Sequence, residues 1–261
     1  MQDVRLGLAG CGALGGIIAR ALTVGIRGYR LIGISEIRAI GLPVPVMDFS
    51  ALAAASDWVI EALPPDVVPE LARAVLPTGK KLLLLSAAAL LRFPEILSLA
   101  APGQIHLCAG ALGGIDAVRA FALRGIASAK LVSTKPPQAL AAAPYAVERK
   151  LNLKGLRQSE CIFTGTAAEA ARGFPANTNV AATLAFACTL AGAENLFPIT
   201  VEIWADPNAR GNSHEIILEA AGAELRSRIF SPPAPDNPKS SPQAAYALLA
   251  SLRSSASVGF Q

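Results

Sequence analysis

Short apolar runs alternate with longer stretches of helical composition through the first part of the chain. Residues 4–9 form an apolar strand, 14–24 have the composition of a helix, and 29–34 form a second strand. Residues 58–62 give a third strand, 67–75 a helix, and 82–85 a fourth strand after Lys80-Lys81. This alternation predicts parallel strands joined by crossover helices, an α/β domain. Pro64-Pro65 follows the third strand, as expected where the C-terminal end of a strand opens into a functional loop. From about residue 104 the texture changes. Strands are predicted at 105–108, 129–133, 160–164 and 199–204, with helices at 166–172 and 179–190. Strands interleaved with two helices suggest an α+β second domain. The segment 231–241, rich in proline, reads as a linker into a final helix at 242–252 that returns to the first domain. The expected division is 1–108, completed by 235–261, and 109–234.

The turn after the first strand carries the clearest chemistry. Gly10-Cys11-Gly12-Ala13-Leu14-Gly15 matches G-x-G-x-x-G between a strand and a helix. There Gly10 permits a tight turn, Gly12 lets the backbone approach a diphosphate, and Gly15 lets helix and strand pack closely. The diphosphate would rest on the free N–H groups at the helix start. Glu36, 21 residues after Gly15, stands where a carboxylate accepts hydrogen bonds from the adenosine ribose. The first domain is therefore expected to be a Rossmann-type doubly wound sheet holding a nicotinamide dinucleotide. A carboxylate repels a 2′-phosphate, which makes NAD the first choice. Arg38, two residues on, could pair with such a phosphate, so NADP stays possible.

Composition narrows the classes. Of 261 residues 52% are hydrophobic and 16% charged, unlike a disordered chain. The apolar stretches 82–91 and 180–193 are too short, or too interrupted by Ser and Thr, to span a membrane. The start of the chain enters a strand almost directly, with no basic region and cleavage site, so a cytoplasmic location is expected. The formal charge is only +4 and its Lys and Arg are scattered, which argues against nucleic acid as a partner. Cys11, Cys108, Cys161 and Cys188 are isolated, with no CxxC pair, and read as small buried apolar residues. No metal is expected.

A dehydrogenase also needs a group that handles protons near neutral pH, and imidazole is the usual one. The chain has two histidines. His106 lies in an apolar run and reads as structural. His214 follows Gly211-Asn212-Ser213 in what reads as a polar turn; it is either a surface residue or the proton acceptor. Asn177-Thr178-Asn179 sets two amides at the start of an apolar helix; either Asn177 or Thr178 caps it, or the amides face a ligand. The segment 109–116 is a second glycine-rich turn. Lys135 ends a strand, either solvated or facing a carboxylate.

The blocks GALGGIDA, KPP, GTAAEAARGFPANTNVAATLA and ADP…GNSHEI occur in an order that resembles the L-aspartate dehydrogenase family. That resemblance implies reversible NAD(P)-dependent oxidative deamination of L-aspartate to oxaloacetate and ammonia through iminoaspartate. It implies His214 as the active-site histidine, with Ala111 and one of Asn177 and Asn179 at cofactor or substrate. On this reading Ala111 and Asn179 join the cofactor side, while Asn177, Asn212 and Lys135 bind the substrate carboxylates. It further implies a homodimer formed through the second domain's sheet and, in some members, a place in NAD biosynthesis. Ser35-Glu36-Ile37-Arg38 stands where Asp or Arg is expected directly after the second strand, leaving the choice between NAD and NADP open. Two other readings remain: a related two-domain dehydrogenase or reductase for another amino or keto diacid, and a dinucleotide sensor without catalysis. Dihydrodipicolinate-reductase-like enzymes share the two-domain plan, but their basic, histidine-rich substrate motif has no counterpart here.

Overall fold

A computed structural model describes residues 2–176, 178–190, 195–232 and 241–255. Asn177 and most of the expected linker lie outside the described residues. The chain forms two compact units, Met1–Gly110 with Pro242–Gln261, and Ala111–Ser241.

The first unit runs β1 (Val4–Ala9), α1 (Ala13–Val24), β2 (Tyr29–Ser35), α2 (Phe49–Ala55), β3 (Trp58–Glu61), α3 (Val68–Val75) and β4 (Lys81–Leu84). The short helices α4 (Ala88–Arg92) and α5 (Glu95–Ser98) then lead to β5 (Ile105–Leu107). All five strands are parallel, in the order β2-β1-β3-β4-β5. The sheet therefore reverses its winding between β1 and β3, and the C-terminal edge of that switch point is where such sheets bind ligands.

Parallel strands covered on both faces need apolar residues on both, and β1 shows how that is met. Leu6 and Leu8 face a core shared with Ile18, Leu22, Ile34 and Ile60. On the opposite face a Cβ at Gly7 would strike Ser56 Oγ and lie 2.8 Å from Leu52 of α2, so only glycine lets that helix close. The last helix, α11 (Gln243–Ser255), joins the first of these cores through Ala245, Leu248 and Leu252. Asp48 caps α2 by accepting from Ala51 N at 2.7 Å.

The second unit begins with α6 (Ile115–Arg124) and β6 (Ile126–Lys135), followed by the short α7 (Pro137–Leu140) and α8 (Pro144–Glu148). Then come β7 (Glu160–Thr166), α9 (Ala167–Gly173), α10 (Asn179–Ala187), β8 (Thr200–Ala205), β9 (Asn212–Ala220) and β10 (Ala223–Ser231). Its sheet has the order β10-β9-β6-β8-β7, parallel only between β6 and β8. Helix α9 starts on a reciprocal capping box, Thr166 with Glu169. Tyr145, Phe163 and Phe174 pack ring against ring beside it. Among the described residues no helix is long and apolar enough to cross a membrane.

Several expectations need correction. Residues 212–220 and 223–231 are strands where the sequence predicts none. Asn212, Ser213 and His214 are not a polar turn; they open β9 and are buried. Three polar residues in succession imitate a loop, but here each pairs in the ladder with β10, and Ser213 and His214 also with β6. Of the cysteines only Cys188 is fully buried, while Cys11, Cys108 and Cys161 are partly exposed. His106, read as structural, is exposed on β5 with its ring stacked on Trp58 at 6.4 Å between centroids, a packing contact.

Candidate active site

Three residues that follow or end adjacent strands shape the switch point of the first sheet. Gly10 turns the chain after β1 with φ of 89°, and its N–H donates to Ser35 O at 2.8 Å. A Cβ there would lie 2.5 Å from the carbonyl oxygen of Ala62. A Cβ at Gly15 would collide with the Gly10 carbonyl. Gly12 differs, because its Cβ would meet nothing closer than Arg38 Nη2, at 3.8 Å. The fold thus demands glycine at 10 and 15, whereas the open side of Gly12 suits a group approaching the backbone from outside. Ala13 and Leu14 supply the first turn of α1, whose N–H groups lack partners within the helix. Loop and helix start together fit a diphosphate.

Glu36 follows β2 and reaches back over this loop. Its Oε2 accepts from Cys11 N at 2.8 Å, and its Oε1 from Ile37 N at 3.0 Å and Arg38 N at 3.2 Å. The Arg38 guanidinium spans both oxygens at 3.2 Å. That hydrogen-bonded pairing, more than any other cause, lowers the carboxyl to a pKa of about 2. At neutral pH a fixed negative charge therefore sits beside the glycine loop. Glu61 ends β3, fully buried, with its carboxylate bonded to backbone N–H groups of two loops.

In the second unit, alternate residues of β6 point to the face covered by helices, so Ser133 and Lys135 are buried there along with Leu131. Ser133 pairs in register with His214 of β9, and its Oγ lies 2.9 Å from His214 Nδ1. His214 is 5% exposed and Lys135 4% exposed. Burial first, and the Lys135 charge second, push the imidazole down to a pKa of about 3, so the ring is neutral. Burial also lowers Lys135 to about 8, which leaves it mostly charged at neutral pH. Lys135 is thus not the solvated lysine that the sequence also allowed.

Asn212 is buried on the same strand as His214, two residues before it. Across the other ladder His214 faces Ile229, against which the glycine-rich turn packs: a Cβ at Gly113 would lie 3.1 Å from Ile229 Cδ1. Ala111, at the start of that turn, is buried. Asn179 opens α10, and Thr178 before it spends its hydroxyl on Phe174 O rather than on a cap.

The second unit therefore gathers Ser133, Lys135, Asn212 and His214 on one sheet face. Ser133 is the last residue of the strand predicted at 129–133, and the sequence alone assigns no role to it or to Glu61. The signal for Glu61 was a lone acid ending the apolar run WVIEAL.

The family model described as "Aspartate dehydrogenase, C-terminal" matches residues 116–255, more than half of the chain. The L-aspartate dehydrogenase 3 of Bordetella bronchiseptica is 38% identical over 264 residues, covering 97% of this chain and 95% of that protein. The chain belongs to the L-aspartate dehydrogenase family. The L-aspartate dehydrogenase of Methanosarcina mazei, at 33% identity with 96% of each chain covered, is a more distant relative. The crystal structure of aspartate dehydrogenase from Thermotoga maritima shares the fold over the whole of both chains, with a TM-score of 0.75 and 22% identity. As a member of this family the chain is an oxidoreductase acting on an amino acid, with a Rossmann-type domain and a second, mixed-sheet domain.

Proposed function

We propose that the protein oxidises L-aspartate at Cα with NAD, giving iminoaspartate, which water converts to oxaloacetate and ammonia. The observation that carries this reading is the buried, neutral His214, held by Ser133 and accompanied by Lys135 on one face of the second sheet. When bound, the nicotinamide accepts the hydride. The chain's own residues do the rest. Gly10, Cys11, Gly12, Ala13, Leu14 and Gly15 cradle the diphosphate, and Glu36 takes the adenosine ribose, with its charge and its Arg38 clamp favouring NAD over NADP. Ala111 and Asn179 complete the cofactor side.

Hydride can leave Cα only after the substrate ammonium has lost a proton. A ring whose Nδ1–H donates to Ser133 Oγ presents a free lone pair at Nε2, the atom that takes this proton or activates the hydrolytic water. Lys135 and Asn212, with Asn177, supply donors for the two substrate carboxylates. Residues 1–108 with 235–261 would hold the dinucleotide, and 109–234 the substrate and a partner protomer. The family resemblance supports a homodimer through the second sheet. The face opposite His214 carries exposed Phe230 and the 2.9 Å Lys130–Glu202 pair. A cytoplasmic enzyme serving NAD biosynthesis fits this chemistry.

The test is a panel of amino acids and hydroxy acids offered with NAD or NADP, following reduced cofactor by absorbance. Turnover with L-aspartate above all others, and faster with NAD, is expected. No turnover of L-aspartate with either cofactor would sink the reading.

A further inference from the structure

The carboxylate of Glu61 stands out from every other acid in the first unit. It is completely buried, yet among the described residues no cation pairs with it. Its Oε1 accepts from Leu63 N at 2.6 Å, and its Oε2 from Ser86 N at 2.9 Å and Leu85 N at 3.2 Å. Leu63 belongs to the loop after β3, Leu85 and Ser86 to the loop after β4. A second link joins the same loops, since Ser86 Oγ donates to Leu63 O at 2.9 Å. Ala62, between the strand end and the first of these loops, is the residue against which the Gly10 turn is packed. One buried carboxylate therefore ties the loop after β4 to the loop after β3, which adjoins the glycine turn at the switch point.

We propose that Glu61 is a positioning residue for the dinucleotide, its ionised carboxylate holding the loops after β3 and β4 as the base on which the glycine turn rests. This rests on the NAD reading above. An apolar side chain would fill the same space but leave the N–H groups of Leu63 and Ser86 without an acceptor, and Leu85 N–H with only the 3.4 Å contact to the Glu61 backbone carbonyl. Glutamine would keep the shape, but its single oxygen serves only one of the two loops, and its NH₂ would face a donor on the other.

The surroundings isolate this group. Arg5 and Lys81 of the flanking strands are engaged at the far end of β3, with Asp57 and the Trp58 ring. Asp66 and Arg92 pair with each other nearer the surface. Cys108, beyond β5, faces Glu61 but is pushed up to about 12 by burial and by that carboxylate, so it stays neutral. Burial raises Glu61 itself to about 6 against the pull of its hydrogen bonds. Protonation then removes acceptor capacity from the loops while relieving the buried charge. Below about pH 6 the unit should keep or gain stability while its grip on the dinucleotide loosens. A purely structural role would move both together.

NADH binding to the whole protein, read by fluorescence between pH 8 and 5.5 beside thermal unfolding, tests this. Wild type should lose affinity as pH falls through about 6 with no matching fall in melting temperature. Glu61→Gln should weaken binding about tenfold or more at pH 8, flatten the pH dependence, and raise the KM for NAD far more than it lowers kcat. Glu61→Asp should restore part of both the affinity and the pH profile. Ser86→Ala, which removes the second link between the loops and the hydroxyl that also supports the Glu61 carboxylate, should weaken NADH binding by a few-fold even if Glu61→Gln does not fold. Wild-type affinity that is flat across this range, or a Glu61→Gln protein with unchanged affinity, would overturn the role of Glu61. No NADH binding by wild type at any pH would instead overturn the cofactor reading.

Discussion

The two units place their polar chemistry in opposite parts of a sheet. In the parallel sheet the groups that matter lie where strands end: Gly10 after β1, Glu36 after β2, Glu61 at the end of β3. Strands buried on both faces have no side of their own to give to a polar group, so the chemistry passes to loops and backbone N–H groups. In the mixed sheet the groups lie inside strands: Ser133 and Lys135 in β6, Asn212 and His214 in β9. Alternation there sends every second residue to the covered face, and a short stretch of that face has been made polar. A unit that binds through its backbone should be sensitive to atoms added, and one that works through side chains to atoms removed.

The largest expected effect is on the second side of this contrast. His214→Ala should lower kcat for L-aspartate by about 10²–10⁴-fold, the usual worth of a positioned acid–base group. NADH fluorescence should show its binding unchanged, since nothing in the glycine loop is touched. Turnover near wild type would remove His214 from the chemistry and leave the second sheet without a working side chain.

Next in size are additions of one methyl group in the first unit. Gly10→Ala meets both a left-handed backbone and the Ala62 carbonyl, and should cost roughly 1–3 kcal/mol of stability. Gly12→Ala meets no such obstacle, so its unfolding midpoint should stay within about 0.5 kcal/mol of wild type. Its NADH affinity should nevertheless fall by about tenfold, because the methyl occupies the approach to the backbone. A Gly12→Ala protein that binds NADH normally would show that the loop is a turn and not a cradle.

This asymmetry also explains what could be read from the sequence. The glycine spacing, the apolar strands around it and Glu36 are local features, and each was legible because its meaning depends only on near neighbours. His214 was legible as a residue but not as a place. Asn212-Ser213-His214 has the composition of a loop, and only the pairing of Ser133 with His214 and of Ile229 on the other side makes it a strand. Whether Lys135 is solvated or faces a carboxylate is undecided in the sequence for the same reason: its environment is built from residues distant in the chain. Glu61 was silent because the N–H groups it serves belong to loops that only tertiary structure brings together.

The two units should also part company in mild acid. Glu61 titrates near 6 in the folded chain against 4.5 as the ordinary value, so the folded state holds its proton more tightly and gains stability as pH falls from about 6 to 4.5. His214 titrates near 3 against 6.5, so the unfolded chain takes the proton first and stability is lost as pH falls below about 6.5. Hydrogen exchange at pH 6.5 and 5, after correction for the intrinsic rates, should show protection of β6 and β9 falling relative to β1 and β3. His214→Gln should abolish the loss in the second unit. Equal change in both units would mean that His214 takes up its proton in place, without the burial penalty that sets the two sheets apart.

The smallest expected effect concerns how the second unit aims its side chain. Ser133 touches His214 at Nδ1 and nothing else in the proposed chemistry, so its removal leaves the imidazole present but free to choose its tautomer. Ser133→Ala should cost about 1 kcal/mol, the worth of one neutral hydrogen bond, and lower kcat roughly three- to tenfold with the KM for NAD unchanged. Ser133→Thr, which keeps a hydroxyl at the same position, should recover most of the rate. Should alanine leave kcat untouched, the register of β6 against β9 would be enough to aim the ring. Side-chain placement in the mixed sheet would then follow from the backbone ladder alone, as it does at the glycine turn of the first unit.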